Sequence, residues 1–428
     1  MVDDSRIAGS LSGLVICVVA CNFRPDVSGM APYNSLLVDA LAEAGATVKV
    51  VTGVPHYPQW RVVDPQYRFG LSWRETPAAA ANRGSVSVLR LRHAVPRTPD
   101  LIGRLRLEAS FAMLSIPVVA AARADMVIGV TPVVGAAVAG MLSRRRRPFG
   151  AIVTDLAGNA AVQSGIASGR VAKIVAATEY RVLRRADRVG VITTKFNPAL
   201  ISGGVDADRI IEVPLFSHVG RTDLTPAAAR RALGWPEDGR LTVVHTGNMG
   251  MKQGLEHVLD AARLANDRHA GAIDFVFVGD GSTRKFLEQQ AAGLDNVRFL
   301  DLVPDEDYPV VLAAADVLLL HERPGVIEMA LPSKLTSYTT ASRPIVAAVA
   351  SNSLTESLLS SRNAALVVPN GDPAALVDGL LRVRNDHALR ARLVDAARVL
   401  GQEQFSERDG RHGFVGFAKA LADSRPRR

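Results

Sequence analysis

At 428 residues the chain is long enough for two or three domains with sizeable cores, and its 48% apolar and 21% charged content is that of a globular protein. The net charge is +8 and the pI near 9.8, which fits nucleic acid, an anionic membrane surface, a phosphate-bearing substrate or only an Arg-rich solvated surface. Aromatic residues make up 5%, which argues against single-stranded nucleic acid as a partner and against an aromatic-lined carbohydrate groove.

The first ten residues, MVDDSRIAGS, are polar and acidic, unlike a secretory signal. Leu14–Ala20 predicts a strand. Cys17 and Cys21 lie in it or just after it, and bridging them would bend it. With no metal-ligand spacing either, the cysteines fit a reducing cytoplasm. A loop over residues 21–29 leads to a helix ending near Ala44, and Thr47–Thr52 predicts the second strand. Further strands are predicted at Ser85–Leu91, Met126–Val130, Ala151–Asp155, Arg188–Ile192 and Ile210–Pro214. Met126–Leu142 carries no charge, but Thr131-Pro132 divides it into a strand and a small-residue helix, so it is not read as a membrane span.

A hinge-like stretch, Leu215–Pro226, precedes a second series of strands. These are predicted at Leu241–Thr246, Phe275–Val278, Val297–Leu300, Val317–Leu320, Ile345–Val349 and Ala365–Val368, and Asp372–Ala422 is largely helical. Strands alternating with helices specify parallel sheets covered on both faces. The expectation is α/β: two doubly wound parallel-sheet domains in tandem, 1–216 and 217–405, facing a cleft, with a last helical segment over 406–428. Ligands in such sheets bind at the carboxyl ends of the strands.

Three strand-to-helix connections in the second half carry a cation. GNMGMKQGLE holds Gly247, Asn248, Gly250 and Lys252; GDGSTRK holds Gly279, Gly281 and Arg284. Pro332 suits a first helical turn, so Ser333, Lys334 and Leu335 would stand at amides and a dipole that favour an anion. The first of these matches neither a Walker nor a GxGxxG spacing. Each alone reads equally as an ordinary turn or capped helix; together they read as a diphosphate site. In the first half, Gly29, Met30 and Tyr33 surround a helix start, and His56 and Tyr57 follow the second strand. His56 is either a general base or a packing residue. Asp155, at its strand's end, is either a helix cap or a catalytic group. Arg144–Arg147 is a solvated face or a polybasic membrane contact.

Taken together these segments resemble family 4 of the GT-B glycosyltransferases, in its bacterial exopolysaccharide, colanic-acid-type branch. The resemblance covers nearly the whole chain, through Phe23–Trp60, Leu89–Pro99, Ala177–Thr193, Gly247–Ala262, Val278–Glu288 and Leu331–Ala347. It implies two Rossmann-like domains, with a nucleotide-sugar donor held in the C-terminal one by the residues just named and by Ser337. An acceptor, a glycan or a polyprenyl-diphosphate-linked sugar, would bind near Gly29, Met30, Tyr33, His56, Tyr57 and Asp155. The C-terminal helix would cross back to the N-terminal domain. The resemblance further implies retaining, hexosyltransferase-type transfer with no cofactor and no obligatory metal, with Asp155, Lys252, Glu328 and Lys334 as catalytic candidates. The setting would be cell-surface polysaccharide synthesis in the cytoplasm, with peripheral contact at the inner face of the plasma membrane.

The sequence departs from this pattern twice. Many members carry paired Glu where this chain has Met329, beside Glu328, and Ser337. The branch typically continues Asp-Leu with Trp-Pro-Glu, where this chain has Ala157-Gly158-Asn159. The departures motivate a second reading, a catalytically impaired GT-B partner subunit that binds nucleotide. A third, a GT-B nucleotide-sugar epimerase, would draw its paired carboxylates from Glu322 and Glu328.

Overall fold

A computed structural model describes residues 9–26, 29–57, 59–76, 84–97, 100–156, 170–217, 219–269, 271–325 and 331–424. The chain divides into two compact units, 1–214 with 407–428, and 215–406.

In the first unit, short β-branched runs bounded by turn residues form the strands. The order is β1 (Val15–Val19), α1 (Ala31–Glu43), β2 (Thr47–Gly53), β3 (Ser72–Glu75), β4 (Ser85–Leu91), α2 (Leu101–Ala121), β5 (Met126–Val130) and α3 (Val134–Ser143). It continues with β6 (Phe149–Val153), α4 (Arg170–Arg185), β7 (Arg188–Val191), α5 (Asn197–Ser202) and β8 (Ile210–Glu212). The sheet runs β3-β4-β2-β1-β5-β6-β7-β8. Among the described strands only β3 is antiparallel, at the edge beside β4. The direction of winding reverses between β1 and β5, so the loops after those strands open the crevice where such sheets bind ligands. Met126–Leu142 is indeed a buried strand followed by a largely buried helix rather than a span, and no helix among the described residues is long and apolar enough to cross a membrane.

The last helix, α14 (Glu407–Ala422), belongs to this first unit; the helices numbered in between lie in the second and are given below. Its Phe414, Phe417 and Leu421 are fully buried, each contributing about 1.5–3 kcal/mol of apolar burial. A Cβ on Gly150 of β6 would meet the Phe417 ring at 2.8 Å, so that strand thins to a glycine where the helix lands. Arg411 pairs with Glu43 of α1 at 2.6 Å.

The second unit runs α6 (Pro226–Leu233), β9 (Leu241–Thr246), α7 (Glu256–Arg268), β10 (Ile273–Val278), α8 (Arg284–Gln290), β11 (Val297–Leu300) and α9 (Tyr308–Ala314). Then follow β12 (Val317–His321), α10 (Lys334–Thr340), β13 (Ile345–Val349), α11 (Leu354–Arg362), β14 (Leu366–Pro369), α12 (Pro373–Asn385) and α13 (His387–Gln404). All six strands are parallel, in the order β11-β10-β9-β12-β13-β14, and the winding reverses between β9 and β12. Alternate residues feed two cores. Val243, Phe275, Phe277 and Leu319 pack under α7 and α12, while Val244, Val276, Leu318 and Leu320 pack under α9, α10 and α13.

Candidate active site

The carboxyl ends of β9 and β10 are tied together by their loops. Gly247 donates its N–H to Val278 O at 2.8 Å, Met249 to Asp280 O at 2.8 Å, and Thr283 gives both its N–H and its hydroxyl to Met249 O. Gly279 has φ +144°, and a Cβ there would lie 2.0 Å from Gly247 O; one on Gly281 would lie 2.4 Å from Met249 O. These two glycines are needed because the loops press backbone against backbone.

That corrects the expectation of amides presented to an anion. The N–H groups of Gly247, Gly250, Gly279 and Gly281 are all engaged within the protein, with Val278 O, Gln253 Oε1, Leu300 O and Asp280 Oδ1. Arg284 is corrected likewise: Glu288 at 2.8 Å and Asp301 at 2.6 Å neutralise it while it holds Gly279 O at 2.9 Å. Asn248 is exposed on the same loop, and Lys252 is half-buried in the following turn.

Lys334 opens α10, and its Nζ lies 2.9 Å from Nε2 of His245, the penultimate residue of β9. An ammonium can only donate, so Nε2 accepts, and Nδ1–H donates to Leu319 O at 3.3 Å. His245 is 1% exposed; burial first, and the Lys334 charge second, hold its pKa well below the usual imidazole range. A neutral imidazole thus fixes a cation at the winding reversal of the sheet. Ser333 is exposed at the helix start. The Leu335 amide, expected to be free there, bonds Pro332 O, and the next amide, Thr336 N–H, bonds Ser333 O. The Leu335 side chain is a core residue, fully buried.

Ser337 is buried, donating to Lys334 O at 2.9 Å and lying 3.4 Å from the Tyr308 hydroxyl, which in turn meets Thr246 Oγ1 at 2.7 Å. Below them His321 donates Nδ1–H to Gln253 O at 2.7 Å, and burial pushes its pKa down to about 4. Glu322, buried beside it, accepts from Thr355 Oγ1 at 2.8 Å. Glu328 and Met329 lie outside the described residues, as do Ala157-Gly158-Asn159.

In the first unit, the loops after β1 and β2 meet. Gly29, at φ +65°, sits against the Tyr57 ring, where a Cβ would approach to 3.0 Å. Met30 is the half-buried cap of α1. His56 is buried and donates Nδ1–H to Val54 O at 2.9 Å; burial lowers its pKa, so it is neutral, with Trp60 and His93 edge-on to it at 5.9 and 4.8 Å. Tyr57 packs edge-on to Trp60, over which Arg104 places its guanidinium at 5.5 Å. Tyr33 is corrected: its ring packs against Phe414 and its hydroxyl donates to Val213 O, inside the core under α14. Asp155 is half-buried and stands two residues beyond β6, which ends at Val153.

Two carboxyls went unnoticed in the sequence. Asp26 accepts the N–H groups of His56 and Tyr57, and burial raises its pKa to about 6. Glu108 of α2 accepts from Gly135 N–H at 2.6 Å at the start of α3, and burial raises it to about 7. Nothing in their spacing announced this; each depends on loops that meet only in the fold. The Arg run divides into two engaged and two exposed residues. Arg144 pairs with buried Asp187 at 3.1 Å, and Arg147 caps helix ends at Ala122 O, Val119 O and Ser143 O, leaving Arg145 and Arg146 exposed.

The second unit therefore places cations at its sheet's carboxyl edge, and the first holds two carboxyls on backbone amides beside an aromatic cluster. Residues 28–216 match the family model for a glycosyl transferase 4-like domain, and residues 240–386 the model for glycosyl transferases group 1. An Escherichia coli (strain K12) protein named as a colanic acid biosynthesis glycosyl transferase is 32% identical over 339 residues, 75% of this chain and 80% of that one. The chain belongs to the family-4 glycosyltransferases. Its fold is GT-B. Sucrose-phosphate synthase from Thermosynechococcus elongatus superposes with a TM-score of 0.70 at 17% identity, over 95% of this chain and 99% of that one. Anabaena HepE, in complex with UDP and glucose, gives 0.64 at 17% identity, over 96% and 100%.

Proposed function

We propose that this glycosyltransferase moves a sugar, with retention and without a metal or cofactor, from a nucleoside-diphosphate sugar to a glycan or polyprenyl-diphosphate-linked acceptor. The product would serve cell-surface polysaccharide synthesis at the inner face of the membrane. The observation that carries this reading is Lys334, held on neutral His245 where the second sheet reverses its winding. When the anomeric C–O bond breaks, negative charge collects on the leaving diphosphate. An ammonium already in place stabilises that charge without reorganising, and Lys252 stands on the neighbouring loop to assist. The acceptor oxygen bonds to the anomeric carbon and its proton passes to the leaving phosphate, so no protein base is required. Neutral, buried His56 fits an orienting role better than that of a base. Asp26 and Glu108 would bind acceptor hydroxyls. The HepE complex with UDP and glucose, and the colanic acid assignment of the E. coli relative, support the donor class and the pathway class.

The test is a thermal-shift screen with UDP, GDP, dTDP and ADP, followed by transfer from the matching sugar donors to lipid-linked acceptors, with the product's anomeric configuration read by NMR. Stabilisation by one nucleotide and a retained configuration are expected. No stabilisation by any of the four, or an inverted product, refutes the reading.

A further inference from the structure

The two strands at the winding reversal of the second sheet, β9 and β12, are parallel neighbours, and each carries a buried histidine at its carboxyl end. His245 of β9 accepts from Lys334, which opens α10 on the connection that follows β12. His321, the last residue of β12, reaches the other way. Its Nδ1–H donates at 2.7 Å to Gln253 O, in the turn Met251–Gln253 that follows β9 and carries Lys252. Each strand holds the connection that leaves the other.

The turn is gripped at several points. Arg323 N–H donates to Lys252 O at 2.8 Å. Gly254, at φ +56°, passes so close that a Cβ would stand 2.7 Å from Arg323 Cα. Gln253 Oε1 accepts Gly250 N–H at 3.0 Å, closing the turn on itself. Among these contacts the His321 bond is the one a side chain of β12 supplies. His321 is 3% exposed, with the His257 ring stacked on it at 6.1 Å, and the carbonyl it meets fixes its tautomer. Without the ring, the Gln253 carbonyl next to Lys252 loses that donor and the turn shifts to recover one. A cation stabilises a leaving diphosphate only where it already stands, so a small shift of Lys252 is costly.

We propose that His321 is a positioning residue for the donor diphosphate: it sets the turn that carries Lys252, as His245 sets Lys334, so that the two strands at the reversal fix the spacing of the two lysines. His321 acts through Lys252 and not by contact with the nucleotide. The assignment rests on the transfer reaction proposed above, in which both lysines face the leaving diphosphate.

The experiment is calorimetric titration of UDP, GDP, dTDP and ADP into the full chain and its variants, arranged as a double-mutant cycle. One nucleotide should bind the parent, and Lys252→Gln and His321→Leu should each weaken it by about fivefold or more. The Lys252→Gln, His321→Leu chain should bind within about twofold of Lys252→Gln alone, because residues acting as one unit are not additive. His321→Gln, whose amide still donates to Gln253 O, should bind within about twofold of the parent. Gly254→Ala displaces the same turn from the Arg323 side, so it should weaken binding with the same dependence on Lys252; it decides the matter if His321→Leu does not fold. Folded His321→Leu and Gly254→Ala chains that bind like the parent, or that lose equally with and without Lys252, overturn the proposal and leave the transfer reading standing. A parent that binds none of the four nucleotides refutes the transfer reading, and the proposal with it.

Discussion

Acid should loosen the second unit before the first. His321 is 3% exposed, faces His257 and Lys334, and has its pKa pushed down to about 4 by burial; the unfolded chain titrates it near 6.5. Below 6.5 the unfolded state binds the proton and the folded state does not, so stability falls as pH falls. Between pH 7 and pH 5 this one group forfeits about 2 kcal/mol, from 1.36 kcal/mol per pH unit below 6.5. His245, facing Lys334 and His321, acts in the same direction. In the first unit, His56 and His93 do the same, but Asp26 and Glu108 have raised pKa values. Those carboxyls bind protons in the folded state over this range and offset most of the loss. Trp235 is the tryptophan of the second unit, and the other two are Trp60 and Trp73. Urea unfolding of a Trp60→Phe, Trp73→Phe chain at pH 7 and pH 5 therefore reads the second unit alone. A loss of at least 2 kcal/mol is expected, reduced by about 2 kcal/mol in His321→Gln, whose amide can still donate to Gln253 O. Equal stability at both pH values, or an unchanged pH dependence in His321→Gln, refutes the reasoning.

Gly279→Ala should cost at least 2 kcal/mol, because φ +144° and a 2.0 Å approach to Gly247 O cannot both be relieved locally. Gly293→Ala, also at positive φ but with nothing within 4 Å, should cost about 1 kcal/mol; denaturant unfolding followed at Trp235 compares them. Phe414→Ala should cost about 3–5 kcal/mol and act on the first unit, read at Trp60 and Trp73, because the ring is fully buried against Tyr33.

The strands β9, β11 and β13 were legible to the residue, being apolar runs closed by turn signals. The edge strand β3, Ser72–Glu75, was not: it is four residues long and half exposed, and it is held by antiparallel pairing to β4 and by bonds from Glu75 to Arg90 and the Tyr67 hydroxyl. β6 begins two residues before the expected Ala151, and its Gly150 leaves the space that Phe417 of α14 fills. The cation at Lys334 was visible, but its partner His245, 89 positions away in sequence, was not. The glycines in the β9 and β10 loops were singled out for a close approach, and the approach the structure shows is of one loop to the other.

The most direct test of the account is calorimetric titration of the stabilising nucleoside diphosphate into the parent and into Lys334→Gln. Glutamine can still donate a hydrogen bond to His245 Nε2, so the variant removes the charge and spares the fold. A charge-assisted bond to phosphate is worth about 1.5–3 kcal/mol, so affinity should fall by roughly 10- to 100-fold. Equal affinity in parent and variant would contradict the placement of the donor diphosphate at Lys334.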